Sequence, residues 1–453
     1  MSGAMQWKRL LSPRRLGSSS PGTISPERSP FQRDFDRVIF SGAFRRLQNK
    51  TQVFPLVQAD YVRTRLTHSL ETSSIGRSLG TAAGVFLKKN YDLGEAQVSD
   101  VGAIVATAAL SHDIGNPPLG HAGEEAIRYW FTSSHVAAEM REQLTHDQIC
   151  DFESYEGNAH GFRVLTVLEM PDQRGGMQLT CATLGTFAKY PSCSNPGRPA
   201  PGAAGKKFNF FHSEKELFAE VAEACGLIEY GPFAYARHPL AYLMEAADDI
   251  AYLIVDFEDG ARLGMIPQEE VESRYLSLLE DPSAASHLKE IVNPVRRTEY
   301  LRALVIGRLV RGAAAVFTEK CDAFLQGTPG QPLTELLPCS PQLAELRARS
   351  VDLIYNNRKV AEIIAAGFEM VSGMLDIFVP CVNELAAEKL GKGKASYRAR
   401  RMGAMMTGVR EYLENPAWCA SPYARLLTIL DFISGMTDGY AVSIYRKLKG
   451  IAL

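Results

Sequence analysis

The sequence of 453 residues contains no closely paired cysteines. Its eight cysteines occur singly, and no two form a C-x-x-C motif, which argues against a disulfide framework or a zinc ribbon and favours reduced thiols. It also lacks an uninterrupted apolar stretch of the roughly 20 residues that cross a bilayer, and the first residues lack the apolar segment of a signal peptide. We therefore expect a cytoplasmic protein that does not span a membrane.

The chain has little net charge. Its formal value of -2 at pH 7 gives no global attraction to nucleic acids or anionic membranes, so any basic surface must be local. Two runs of basic residues are candidates, at residues 296–311 and 389–401. Such runs usually form a solvated face, and the alternative is a site for single-stranded DNA or an activating nucleotide.

Strand signals are also scarce. Apolar residues recur at helical spacing along most of the chain after residue 30, and the pattern leaves room for one short hairpin, near residues 208–211. We predict an all-α fold with a flexible, Ser-, Pro-, Gly- and Arg-rich tail over residues 1–30, a catalytic region over residues 31–279, and further helices over residues 280–453 packed on that region.

A His-Asp pair stands at the end of an apolar segment. His112 and Asp113 follow the segment Val101-Gly-Ala-Ile-Val-Ala-Thr-Ala-Ala-Leu110 and precede Ile114-Gly-Asn-Pro-Pro118. The glycine and the prolines end a helix, so a buried helix that begins near residue 99 or 100 would deliver both polar side chains at its end. Taken alone, the pair is equally typical of an ordinary polar helix terminus.

Other polar groups extend this pattern. His68 lies in a polar helix start, and His121 and Glu124 are three residues apart, which places them on one face of a helix. Imidazole and carboxylate groups in one pocket suit a divalent cation such as Mn, Fe(II), Mg or Zn. These residues predict a metal-dependent phosphohydrolase.

A fourth acidic group comes from a later helix. Asp248, Tyr252 and Asp256 recur every four residues and so form one stripe of an otherwise apolar helix. Burying such a stripe is costly unless each polar group has a partner. Asp248 or its neighbour Asp249 is the expected acidic ligand.

Six ordered blocks of the chain resemble HD-domain phosphohydrolases, and more narrowly the deoxynucleoside triphosphate triphosphohydrolases of the bacterial dGTPase type. The blocks are residues 31–54, 63–71, 112–124, 156–162, 189–191 and 431–440. The resemblance implies an HD-domain helical fold and one divalent metal ion per subunit, Mn, Mg or Fe. The implied ligands are His68, His112, Asp113 and Asp248, with Asp249 as the alternative to the last.

The same resemblance implies the reaction. The residues that match His121 and Glu124 form a catalytic dyad that handles the attacking water. The α-phosphorus of the nucleotide is the electrophile, and the products are a deoxynucleoside and inorganic tripolyphosphate. A His oriented by a Glu is a suitable general base or acid near neutral pH.

The implied substrate-binding residues fall into two groups. Gln52, Tyr252 and Asp256 match the sugar pocket, which recognises the 3'-hydroxyl and excludes a 2'-hydroxyl. Arg65 and Lys189 match positions that hold the triphosphate, whose negative charge needs basic partners besides the metal. The long loop after Lys189, at residues 190–207, is interpreted as a lid, an oligomer contact or a variable surface excursion.

One departure from the family concerns the base. Ile364 stands where the dGTP-specific branch commonly carries a Glu, and an Ile accepts no hydrogen bond from guanine; Glu362 is the nearest carboxylate. A range of several deoxynucleotides is therefore expected beside dGTP alone. Two other functions stay open, an HD phosphodiesterase or 5'-nucleotidase, and a nucleotide sensor or single-stranded DNA-binding protein with little turnover. The resemblance also implies a homo-oligomer, typically a hexamer.

Overall fold

The computed structural model describes residues 3–20, 27–53, 62–197, 207–406 and 409–451. The described residues form α-helices and one small antiparallel sheet, which confirms the all-α prediction. The α-helices are α1 (Trp7–Leu10), α2 (Pro30–Ile39), α3 (Gly42–Arg46), α4 (Arg65–Asn90), α5 (Val98–Ser111), α6 (His121–Ser133), α7 (His135–Arg141), α8 (His146–Glu153), α9 (Gly157–Arg163), α10 (Cys181–Phe187), α11 (Lys215–Cys225), α12 (Pro239–Arg262), α13 (Gln268–Leu279), α14 (Pro282–Leu288), α15 (Pro294–Leu325), α16 (Ser340–Ser350), α17 (Arg358–Lys389), α18 (Tyr397–Gly403), α19 (Val409–Tyr412), α20 (Pro416–Ala420), α21 (Pro422–Ser434) and α22 (Asp438–Leu448).

The two strands do not lie where the sequence predicts a hairpin. Strands β1 (Glu229–Gly231) and β2 (Ala234–Tyr235) pair with each other, whereas residues 208–211 form no strand. The aromatic side chains that suggested one are buried instead, and the ring of Phe210 stacks on that of Phe218 at a centroid distance of 4.5 Å. Aromatic residues favour strands and helical cores alike, so their presence misplaced the hairpin.

The N-terminal segment also differs from the expected flexible tail. Met5, Trp7, Leu10 and Leu16 are buried, and the backbone N–H of Met5 donates to the carbonyl of Leu325 at 2.7 Å. Because these apolar residues are few among polar ones, the composition of residues 1–30 predicted a flexible tail, whereas part of this segment packs on the core. Residues 1–2 and 21–26 of the predicted tail lie outside the described residues.

The buried apolar residues form two large clusters. The first cluster joins the N-terminal segment with α4, α5, α12 and α15, and the second cluster joins α6 with α17, α21 and α22. Because α6 belongs to the second cluster and α15 to the first, the clusters divide the chain differently from the predicted boundary after residue 279.

Close packing of α4 on α5 brings their polar residues together. Three glycines of α4, spaced by four residues, face α5. A Cβ atom on Gly80 would lie 2.8 Å from the carbonyl oxygen of Val101, and one on Gly84 would lie 3.0 Å from that of Val98. The absence of side chains at these positions therefore lets the two helices approach closely along their length.

Helix α17 is long and apolar enough, by length and composition, to cross a membrane over Val360–Lys389. Its residues Val371, Met374 and Phe378 are fully buried against α6 and α21 in the second cluster. Of the most apolar stretch of the helix 39 % is buried, so part of its apolar surface belongs to the core.

Candidate metal centre

Three side chains from separate helices converge on one point. His68 lies in the first turn of α4, His112 is the C-cap of α5, and Asp248 lies in the middle of α12. The Nε2 atoms of both histidines are 3.3 Å from Oδ1 of Asp248, and the three ligand atoms lie within 4.8 Å of one another. Two imidazoles and a carboxylate at this spacing fit a divalent cation.

The imidazole of His112 is oriented so that Nε2, the nitrogen without a proton, faces Asp248. Its Nδ1 lies 2.7 Å from the carbonyl oxygen of Ala109 and so carries the proton, which leaves Nε2 as the lone-pair donor. Burial alone would lower the pKa of His112, but the carboxylates of Asp248 and Asp113 raise it above its ordinary value. This negative environment is what a bound cation would neutralise.

Asp113 is near the group but engaged by another cation. Its Oδ2 lies 3.5 Å from Nε2 of His112 and 2.7 Å from the guanidinium of Arg65. Burial would raise the pKa of Asp113, but Arg65 and the two histidines hold it well below its ordinary value. The carboxylate is therefore ionised, and it pairs with Arg65 and Asn116 instead of joining the group of His68, His112 and Asp248.

The two neighbouring carboxylates of α12 have different surroundings. Asp248 faces the histidines and accepts a hydrogen bond from Nζ of Lys189 at 2.7 Å. Asp249 points away and accepts one from the hydroxyl of Thr334 at 2.7 Å, and burial raises its pKa to about 6. The geometry therefore groups Asp248, and not Asp249, with the histidines.

His121 and Glu124 lie at the start of α6, directly after Gly120, which borders the guanidinium that pairs with Asp113. Nδ1 of His121 is 3.1 Å from Oε2 of Glu124, and the other carboxylate oxygen accepts the N–H of Gly157 at 2.9 Å. The imidazole is 79 % exposed while the carboxylate is buried. The hydrogen bond and charge of Glu124 raise the pKa of His121. A buried acid thus orients an accessible base.

Arg65 occupies the space between the His-Asp pair and α6. Its side chain is buried, and a Cβ atom on Gly120 would lie 2.3 Å from its guanidinium. Gly120 also has a φ of +58°, a conformation that side chains disfavour. Only glycine therefore allows the guanidinium to approach the start of α6 and Asp113 together.

The stripe on α12 acquires a partner that the sequence did not indicate. The hydroxyl of Tyr355 donates to Oδ2 of Asp256 at 3.0 Å, and the rings of Tyr252 and Tyr355 are parallel with centroids 6.0 Å apart. Burial raises the pKa of Asp256 well above its ordinary value, although the bond from Tyr355 opposes this. Tyr355 lies nine residues before Ile364, yet no spacing rule links it to α12.

Gln52 lies close to the start of α4 because its neighbour Thr51 forms an isolated bridge with Thr64, the N-cap of that helix. The side-chain oxygen of Gln52 is buried and has no hydrogen-bond partner within the described part of the chain. A buried acceptor without a partner is costly, and a hydroxyl-bearing ligand would satisfy it.

The two residues discussed for base recognition differ in exposure. Ile364 packs against the first cluster, whereas Glu362 is exposed and pairs with Arg358 at 2.8 Å. Neither side chain therefore presents a buried carboxylate.

The basic runs are partly neutralised. In the first run, Arg302 pairs with Glu258 at 2.6 Å. In the second, Arg400 pairs with Glu388 at 2.7 Å. These contacts reduce the positive charge available to a nucleic acid. Within the loop after Lys189, residues 198–206 lie outside the described residues, so the lid, the oligomer contact and the variable surface excursion all stay open as interpretations.

Residues 65–156 match the family model of the HD domain, a stretch that holds every proposed ligand except Asp248. Along 99 % of its length the chain is 41 % identical to a deoxyguanosinetriphosphate triphosphohydrolase-like protein of Synechocystis sp., which is covered completely. It is 38 % identical to a protein of the same description from Pseudomonas aeruginosa, over 98 % of this chain and 99 % of that protein. The chain belongs to the deoxyguanosinetriphosphate triphosphohydrolase family.

A more distant relative is described as a deoxyguanosinetriphosphate triphosphohydrolase without the qualifier. It comes from Klebsiella pneumoniae and is 30 % identical over 95 % of this chain and 96 % of its own. Membership of this family of hydrolases accounts for the helical HD domain, and the group of His68, His112 and Asp248 could hold a divalent metal ion.

Proposed function

We propose that this protein hydrolyses deoxynucleoside triphosphates to a deoxynucleoside and inorganic tripolyphosphate, with one divalent cation, Mn, Mg or Fe, per subunit. The observation that carries the proposal is the convergence of His68, His112 and Asp248 beside two cationic side chains, the buried Arg65 and the nearly buried Lys189. A metal group with basic neighbours suits a substrate that brings several negative charges.

His68, His112, Asp113 and Asp248 would hold the metal. When bound, the cation supplies polarisation of a phosphoryl oxygen and charge neutralisation. The hydrogen bond from Nδ1 of His112 to the backbone fixes the ring in the ligating orientation, as surrounding partners do in metal sites generally.

Arg65 and Lys189 would bind the triphosphate. Each already pairs with a carboxylate of the proposed ligand set, at 2.7 Å in both cases. A guanidinium and an ammonium in these positions neutralise phosphate oxygens that lie next to the same ligands. Both are buried or nearly so, which strengthens their interaction with charge.

His121 would accept the proton of the attacking water. The water oxygen bonds to the α-phosphorus, the bond from that phosphorus to O5' of the sugar breaks, and O5' takes a proton as the deoxynucleoside leaves. The three phosphates depart together as tripolyphosphate. Glu124 orients His121 through Nδ1 and stabilises its protonated form.

Gln52, Tyr252 and Asp256 would form the sugar site. Tyr252, whose ring is parallel to that of Tyr355, offers an aromatic surface for the sugar. Asp256 and the oxygen of Gln52, which has no partner among the described residues, are acceptors suited to a hydroxyl. Because Ile364 accepts no hydrogen bond, we propose activity on several deoxynucleotides and not on dGTP alone.

A panel of the four dNTPs and the four NTPs, each with Mn²⁺ or Mg²⁺, tests the proposal. We expect nucleoside and tripolyphosphate in equal amounts from dNTPs and little product from NTPs. Orthophosphate or pyrophosphate as the sole inorganic product would favour a phosphodiesterase or 5'-nucleotidase. Tight binding of dNTP or DNA without hydrolysis in either metal would favour a sensor.

The quaternary structure, the effectors and the location stay predictions. We propose a cytoplasmic homo-oligomer, a hexamer by resemblance. Single-stranded DNA or an activating nucleotide would bind outside the metal centre. Sedimentation velocity measures the oligomeric state, and its comparison with and without a dNTP or an oligonucleotide tests whether these ligands bind.

A further inference from the structure

A buried lysine connects the metal centre to the C-terminal helices. Lys50 is 3 % exposed, and its Nζ donates to the carbonyl oxygens of Asn116 at 2.5 Å and Ser434 at 2.6 Å. Asn116 follows the His-Asp pair, and Ser434 is the last residue of α21. One side chain therefore ties together two segments that are far apart in sequence.

The contacts of Lys50 do not require its charge. Burial lowers the pKa of Lys50 to about 7, although Asp438 opposes this shift. A neutral amine still has two N–H groups, which is the number of carbonyl acceptors that it meets here. The link thus persists in both protonation states.

A carboxylate makes a matching link from the other side. Asp438, the first residue of α22, is buried; its Oδ2 accepts the N–H of Thr51 at 2.8 Å and its Oδ1 accepts the N–H of Leu119 at 3.0 Å. Lys50 therefore links Asn116 to the end of α21, and Asp438 links Leu119 to the start of α22. Both contacts hold the stretch of chain that follows the His-Asp pair.

These two positions belong to the loop at residues 113–120, which joins the His-Asp pair to α6. Leu119 has a φ of +63° and Gly120 one of +58°. A left-handed leucine is a strained conformation that persists only where its surroundings impose it. The bond from Leu119 to Asp438 is such a constraint.

We propose that Lys50 and Asp438 form a clamp that fixes the 113–120 loop and so sets the position of the water-handling dyad relative to the metal ligands. Both are positioning residues, since neither lies among the residues assigned to metal or substrate. The inference rests on the proposed function, and it implies that α21 and α22 support the geometry of the active site.

Two variants test the clamp from opposite sides. Lys50→Met keeps the length of the side chain without its donors, and Asp438→Ala removes both acceptors. The matched control is Asp34→Asn, because Asp34 is also buried and accepts hydrogen bonds, but from Arg15, Thr180 and Thr183, none of which belongs to the loop. A variant that fails to fold leaves the other to decide.

Hydrogen exchange of the full-length protein is the first measurement. We expect amide exchange in peptides covering residues 112–121 to rise at least tenfold in both clamp variants, with α5 unchanged and no such rise in Asp34→Asn. Unchanged loop exchange in the clamp variants would overturn the clamp. This outcome does not depend on any enzymatic activity.

Kinetics is the second measurement. We expect kcat to fall about tenfold to a hundredfold in both clamp variants with KM for dNTP within threefold of wild type, and the double variant to be no slower than the worse single one. Faster loop exchange with unchanged kcat would overturn the positioning role. A wild-type protein that hydrolyses no dNTP would refute the proposed function, and the exchange measurement would still decide the clamp.

Discussion

Replacement of Glu124 by Gln tests the dyad with minimal disturbance of the fold. The two oxygens of Glu124 have separate partners: Oε1 accepts the N–H of Gly157 at 2.9 Å, whereas Oε2 faces Nδ1 of His121 at 3.1 Å and accepts a longer bond from Arg128 at 3.5 Å. In Glu124→Gln the amide oxygen retains the bond to Gly157. The amide nitrogen then points its N–H at His121.

This substitution moves the proton of the neutral imidazole from Nδ1 to Nε2. Opposite a carboxylate, Nδ1 carries the proton and Nε2 is free to accept one; opposite an amide N–H, Nδ1 becomes the acceptor and Nε2 carries the proton. His121 would then have no basic nitrogen facing the water. Acid-base catalysis contributes about 10²- to 10⁴-fold, so we expect kcat to fall by that factor, which corresponds to about 3 to 5 kcal/mol of activation free energy.

The pH profile gives an independent signature. Because Glu124 raises the pKa of His121, the wild-type acidic limb of kcat/KM should lie above the ordinary histidine value. Without the carboxylate that pKa falls, so the residual activity of Glu124→Gln should retain its acidic limb at lower pH. The assay is tripolyphosphate release from a dNTP across pH 5 to pH 9, about two units on each side of neutrality.

Glu125→Gln is the matched control, since Glu125 is the next residue, is 59 % exposed and also pairs with Arg128, whose guanidinium lies 3.5 Å from Oε2 of Glu124; it removes a neighbouring carboxylate and leaves the one that faces His121. It should behave as wild type, and both variants should bind Mn²⁺ as tightly as the unaltered protein. A rate for Glu124→Gln within threefold of wild type would refute the role of the dyad. Loss of Mn²⁺ binding would instead make Glu124 part of the metal site.

Three other perturbations have defined outcomes. Asp248→Ala should abolish stoichiometric Mn²⁺ binding in equilibrium dialysis whereas Asp249→Ala should retain it; equal retention by both would contradict the ligand assignment. Tyr355→Phe should raise KM for dNTPs about tenfold, the effect of one lost hydrogen bond, and should leave inhibition by tripolyphosphate, which has no sugar, unchanged. Burial raises the pKa of Asp151 from 3.8 to about 7, so in this interval the folded protein holds a proton that the unfolded chain has released. Its contribution to the free energy of unfolding should therefore fall as pH rises from about 4 to about 7 and then level; urea titrations should show this slope in wild type and lose it in Asp151→Asn.

The sequence predicted those parts of the site that lie within single helices. The apolar segment before His112 became α5, and the four-residue spacing of Asp248, Tyr252 and Asp256 became one stripe of α12. Both predictions rest on helical periodicity, which depends only on neighbours along the chain.

The features that the sequence could not supply depend on contacts between distant segments. Tyr355 lies 99 residues from Asp256, its hydrogen-bond partner, and Lys50 lies 384 residues from Ser434. The choice between Asp248 and Asp249 was also open, because the two are adjacent aspartates of one helix and differ only in the direction in which the side chain points. That direction is decided by packing of α12 against α4 and α5.

The proposed metal ligands and the proposed dyad are carried by helices of different apolar clusters, which is why helices far from the site should affect the chemistry. His68, His112 and Asp248 are carried by helices of the first cluster, whereas Glu124 is carried by α6 in the second. Each cluster is close-packed and holds its own residues, but water attack needs the dyad at a fixed distance from the phosphate, and small displacements are costly to rate. That distance crosses from one cluster to the other, so it depends on the 113–120 loop and on the side chains that hold it.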